Sequence, residues 1–111
     1  MASKHRVIIT PDADDDLRTA YRFLRNEGSL PVARAWLIGI KKKISSLNDN
    51  PERAHGAPES GSFDEPIREL LYGSGNRGVY RILFTVFGRS VFVLHVRHGS
   101  MLPLESNQFE F

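Results

Sequence analysis

Apolar and polar positions follow two different periods along the 111-residue chain. The first apolar run, Val7-Ile8-Ile9, is short and β-branched, as expected of a strand. Thr10-Pro11 ends it and opens a helix, because Thr is a good N-cap and Pro suits the first helical position. Ala13, Leu17, Ala20, Tyr21 and Leu24 recur at helical spacing and form one apolar stripe. Gly28 ends that helix. Ser29-Leu30-Pro31 opens a second helix, with Ala33, Trp36, Leu37, Ile40, Ile44 and Leu47 on one side. Arg34, Lys41, Lys42 and Ser45 fall mostly on the other. The short gap between the helices predicts an antiparallel hairpin. Asn48-Asp49-Asn50-Pro51 stops the second helix.

Residues 51–66, rich in Pro, Gly, Glu and Ser, read as a long loop. Three strands are then expected, over residues 67–72, 79–87 and 90–98. Gly88-Arg89 is a two-residue hairpin turn, and residues 73–78 form the earlier connection. The order strand, helix, helix and three strands specifies an α+β fold. A helical hairpin packs on one face of a small, mainly antiparallel sheet. A single domain over residues 1–111 is expected, with a flexible tail from about residue 102.

The hairpin turn implies a register. If Phe87 pairs with Ser90, then Leu83 pairs with Leu94, Arg81 with Val96 and Val79 with His98. If Gly73 pairs with Gly78, then Leu70 pairs with Arg81 and Arg68 with Leu83. Tyr80, Ile82, Phe84, Val86, Val91 and Val93 then face the helices, joined by His95, Arg97, Ile67, Glu69 and Leu71. The opposite face gathers Arg68, Tyr72, Arg81 and His98 across three strands. A one-residue slip in the longer turn would move Arg68 and Tyr72 away. Two guanidinium groups can bind a phosphate and stabilise charge in phosphoryl transfer. A His beside them can move a proton near neutral pH, and a Tyr can stack on a base. RNA cleavage by its own 2′-hydroxyl needs such groups and no metal or cofactor. The competing reading pairs Arg81 with Glu69 or the chain terminus and leaves His98 as a strand end. His95 reads as a core or rim histidine, and His5 and His55 as exposed.

Composition narrows the classes. Hydrophobic residues make up 41% and charged residues 25%, the balance of an ordinary soluble domain. There is no cysteine, which excludes disulfides and thiolate metal sites. No apolar run is long enough for a membrane span, and no signal core follows Met1, so a cytoplasmic protein is expected. Net charge is only +2, but most of the 15 cations are Arg, and Lys41, Lys42 and Lys43 are consecutive. Arg suits phosphate and carboxylate partners. Asp12, Asp14, Asp15 and Asp16 resemble a metal cluster, yet the helix dipole and capping account for them.

Two stretches carry a family resemblance. Val7-Ile8-Ile9-Thr10-Pro11-Asp12-Ala13 followed by Asp16-Leu17 resembles the opening of the RelE/ParE toxins of type II toxin–antitoxin (plasmid stabilization) systems. Ile67-Arg68-Glu69-Leu70, Gly78-Val79-Tyr80-Arg81-Ile82-Leu83-Phe84 and residues 91–100 resemble that superfamily's three-strand meander. The resemblance implies a RelE/ParE-like fold and a cognate antitoxin partner. It also implies one of two activities. Ribonuclease members enter the ribosome and cleave mRNA; gyrase-inhibiting members bind DNA gyrase without chemistry. On the first reading Arg81, His98 and Arg68 are catalytic, and Lys41, Lys42, Lys43, Tyr72 and Arg77 contact RNA. His98-Gly99-Ser100-Met101 looks more like the ParE branch. The Arg and His face puts the mRNA endonuclease first, with the gyrase inhibitor or a non-toxic antitoxin-binding remnant as alternatives. Two apolar sheet faces imply that a partner covers one of them.

Overall fold

The computed structural model describes residues 4–62, 65–73 and 78–100. Arg77 and the expected flexible tail lie outside the described residues. The elements run β1 (Arg6–Ile9), α1 (Pro11–Glu27), α2 (Leu30–Ser45), β2 (His55–Gly56), β3 (Arg68–Tyr72), β4 (Tyr80–Phe87) and β5 (Ser90–His98). Short 3-10 turns at Ser46–Asn48, Pro51–Arg53 and Pro58–Ser62 punctuate the segment after α2.

Both helices start where their caps place them. The Thr10 hydroxyl accepts from the Ala13 N–H at 3.4 Å and donates to the Val93 carbonyl at 2.7 Å. One side chain therefore caps α1 and ties its first turn to β5. Ser29 Oγ accepts from the Val32 N–H at 3.3 Å, and Pro stands in the first turn of each helix. The Gly28 N–H closes α1 on the Leu24 carbonyl at 2.9 Å.

The sheet has the order β1-β5-β4-β3-β2, with β1 parallel to β5 and all other pairs antiparallel. The two-residue β2 was not expected; it lies inside the segment read as loop. Ala13, Leu17, Trp36, Ile40 and Ile44 from the helices meet Tyr80, Ile82, Phe84, Val91, Val93 and Val96 in the main core. Each fully buried aliphatic side chain there contributes about 2 kcal/mol.

Two register changes separate this sheet from the sequence-based one. The turn pairs Phe87 with Ser90 as expected, but a β-bulge follows. Phe84 pairs with Val93 and Leu83 with His95, so Leu94 has no partner of its own. The extra residue reverses the facing of the rest of β5. Leu94 joins a second cluster with Ala57, Ile67 and Leu83 on the far face, and Val96 turns into the helix-side core. The other change is a one-residue slip between β3 and β4, which pairs Tyr72 with Tyr80 and Leu71 with Arg81. It moves Leu70 and Tyr72 to the helix side, and Ile67 and Glu69 to the far side with Leu83 and Arg81. Described residues between 54 and 66 cover part of that far face. Ala57 and Ile67 pack on Leu83 and Leu94, and the Thr85 hydroxyl donates to the Pro66 carbonyl at 2.9 Å.

Candidate functional site

The two register changes disperse the expected Arg68, Tyr72, Arg81 and His98 constellation. Arg81 lies in the middle of the sheet and points to the far face. Its Nη1 and Nη2 donate to Glu59 Oε2 and Oε1 at 3.1 and 2.6 Å, and its Nε donates to Glu69 Oε1. Arg81 and Glu59 are both buried, and the Glu59 side chain is 0% exposed. Burial alone would lower the Arg81 pKa, but hydrogen bonds and attraction to Glu59 and Glu69 outweigh it, and the net shift is upward. His55 Nε2 lies 2.6 Å from Glu69 Oε2 and extends the network to β2. The pairing of Arg81 with Glu69 is the competing reading of the sequence, now joined by a second carboxylate. Glu59 was hidden in the segment read as loop; no periodicity marks it.

Arg68 does a local task. Its Nη1 donates to the Ala54 and Glu52 carbonyls at 2.9 and 3.3 Å and pins the segment before β2. Tyr72 packs edge-on to Trp36 with ring centroids 6.4 Å apart, and its hydroxyl lies against Gly39. A side chain at position 39 would collide with that ring. Lys41, Lys42 and Lys43 are exposed on α2, away from the sheet.

His98 sits at the other end of the sandwich. It stands edge-on to Tyr80 at 5.2 Å, its Nδ1 lies 2.6 Å from Ser100 Oγ, and it accepts from the Ser100 N–H at 3.1 Å. Gly78 lies directly against the imidazole with φ +77°, so its missing Cβ serves both the backbone and the packing. His98 borders a groove of about 560 Å³ between α1 and the end of β5. Ala20, Phe23, Tyr80 and Val96 supply apolar surface, with Asp16 and Thr19 on the rim. Phe23 is 59% exposed there. A second groove of about 470 Å³ lies on the opposite side of Tyr80, lined by Val32, Trp36, Tyr72 and Gly78. Burial raises the Tyr80 pKa. Apolar grooves with a few polar groups at the rim are suited to holding a partner's side chains.

Asp16 does more than compensate the dipole of α1. Its Oδ2 accepts the Val96 N–H at 2.9 Å and lies 3.0 Å from His95 Nδ1. Beyond Val93 the paired part of β1 has ended, and α1 takes its place against β5. Asp16 therefore satisfies a backbone donor that a neighbouring strand would otherwise satisfy. Its position one residue before the buried Leu17 was the available signal. Among the described residues no three His, Asp or Glu side chains converge as a metal-binding set. No helix among them is long and apolar enough to cross a membrane.

A family model described as the ParE toxin of the type II toxin–antitoxin system parDE matches residues 7–103. Among solved structures, the fold is similar to a chain of the chromosomal ParDE toxin–antitoxin system from P. aeruginosa. The TM-score is 0.68 at 18% identity, over 87% of this chain and 98% of that one. No curated protein matches the sequence.

Proposed function

The chain belongs to the ParE toxin family of type II toxin–antitoxin systems, and from that premise we propose that it arrests growth by binding DNA gyrase rather than by cleaving RNA. The family makes it the toxin of such a system and implies an antitoxin as its partner. One observation carries the choice of target class. Every guanidinium nitrogen of Arg81 is engaged by Glu59 and Glu69 on the far face, while His98 opens toward the groove on the helix side. A phosphate approaching Arg81 would have to displace two carboxylates from a buried pair, at a cost of several kcal/mol. A proton donor on the opposite face would not reach the same bond. The apolar grooves beside Tyr80 favour a protein ligand in the same direction. The ribonuclease assignment of Arg68, Arg81 and His98 would need the sheet to re-register.

The test is induction in a bacterial host without antitoxin, following thymidine and methionine incorporation over the first minutes. Thymidine incorporation is expected to fall first while translation continues, and purified protein is expected to inhibit supercoiling by gyrase. An early fall in methionine incorporation that His98→Ala relieves would reinstate mRNA cleavage. Undisturbed growth with good expression would leave only antitoxin binding.

A further inference from the structure

The outer seam of the helical hairpin holds a cationic groove that neither the grooves beside Tyr80 nor the Arg81 network explains. Arg18, Arg22 and Arg25 follow one another on α1 at i, i+4 and i+7, and Lys41 faces them from α2. Between them lies a shallow cleft of about 270 Å³ with Leu17, Tyr21 and Leu37 at its base. Among the described residues, Asp14 is the one carboxylate bordering it, and its Oδ2 is paired with Arg18 Nε at 3.0 Å. Among the described residues, Arg22, Arg25 and Lys41 form no ion pair. Like charges repeated along one helix stripe repel and weaken the helix, so their concentration here calls for a counter-charge from outside.

The geometry points to this cleft as the docking site for an acidic amphipathic segment of a protein partner. A phosphate backbone would satisfy the cationic rim but would leave the Tyr21 and Leu37 floor without a counterpart. A peptide whose apolar side chains enter the floor and whose carboxylates meet Arg22, Arg25 and Lys41 uses both. From Arg18 to Arg25 the stripe rises roughly 10 Å along α1, about two helical turns. Carboxylates one and two turns apart on a helical ligand would match it. The site is independent of whether the toxin's target is gyrase or the ribosome.

The test is fluorescence anisotropy on the full chain, with three labelled probes. One is a two-heptad helical peptide with Leu on one face and Glu on the other. The others are poly-glutamate of equal charge and a single-stranded DNA oligonucleotide. The amphipathic peptide is expected to bind, and poly-glutamate about tenfold or more weakly for lack of apolar contacts. Arg22→Glu/Arg25→Glu is expected to reduce binding of the amphipathic peptide by about tenfold or more, with binding falling as salt rises. Both positions are exposed, and an unchanged circular dichroism melt will separate lost binding from lost folding. Arg89→Glu, an exposed charge in the β4–β5 turn, serves as control and leaves binding unchanged. Equal binding by the double variant and wild type, or no peptide binding, overturns the inference. Tighter binding of the oligonucleotide than of either peptide replaces it with a nucleic-acid surface.

Discussion

Glu59 carries a carboxylate with a fully buried side chain, and Arg81 pairs with both of its oxygens. The guanidinium in turn is held by Glu69, and Glu69 by His55, so four residues from four segments share one charge network. Arg81→Met would remove the buried guanidinium that bridges Glu59 and Glu69 and is expected to cost about 3–5 kcal/mol. The double variant Arg81→Met/Glu59→Leu removes both charges and should recover much of that loss. Urea unfolding measures both; a single-variant cost near zero would mean that the pair does not hold the far face together. Tyr80 offers a pH counterpart. Burial raises its pKa above the ordinary 10.0. Above that pH the unfolded chain releases the phenolic proton while the native state keeps it. The unfolded state then binds fewer protons, and stability falls as pH climbs. Tyr80→Phe should flatten this alkaline decline, read as a shallower drop in melting temperature above pH 10.0. An identical slope in the variant would assign the decline to other groups.

At the scale of elements, the helices were legible because three signals coincide in each: a capping hydroxyl, a Pro in the first turn and an unbroken apolar stripe. Thr10 and Ser29 cap as their types suggest. Strand pairing was less legible. The β4–β5 turn was read correctly from Gly88, whose φ is 56°, yet the bulge at Leu94 has no glycine or proline to announce it. Its residues, Val93-Leu94-His95, continue the strand composition on both sides. The bulge exists because the two faces demand it. Leu94 completes the far cluster with Leu83 and Ile67, while Val96 is needed beneath the helices. A regular strand could not supply both. Deleting Leu94 restores period-two pairing, with Val96 still opposite Ile82 and His98 opposite Tyr80, but it takes the Leu94 side chain out of the far cluster and leaves the polar His95 opposite Leu83. That variant is expected to lose the sharp, cooperative calorimetric transition of the wild type. A deletion variant that melts cooperatively within a few degrees of wild type would show that the bulge is dispensable.

The whole molecule has a closed side and an open side. The far face is sealed in part by Ala57, Pro66 and Ile67 and anchored by the buried Arg81 network. Apolar surface remains accessible at the open end of the sandwich, where Phe23 and Tyr80 border the groove beside His98. The candidate chemistry in the sequence pointed to the first side because Arg, Tyr and His are visible letters. The grooves were not visible, because they depend on how α1 crosses the end of β5 beyond the paired part of β1. If growth arrest comes from chemistry, His98→Ala should abolish it and changes at Phe23 should matter little. If it comes from docking, the order reverses. Phe23 is 59% exposed and absent from the core, so Phe23→Glu should leave the melting temperature within a few degrees of wild type. It should nevertheless place a charge where a partner would bury apolar surface, weakening association by about tenfold or more. On the proposed gyrase-binding reading, Phe23→Glu is therefore expected to rescue plating efficiency on induction and to relieve inhibition of gyrase supercoiling in parallel, whereas His98→Ala stays toxic. Retained toxicity in Phe23→Glu with a normal melt would remove this groove from the inhibitory surface and leave the Trp36 and Tyr72 groove as the remaining candidate on the open side.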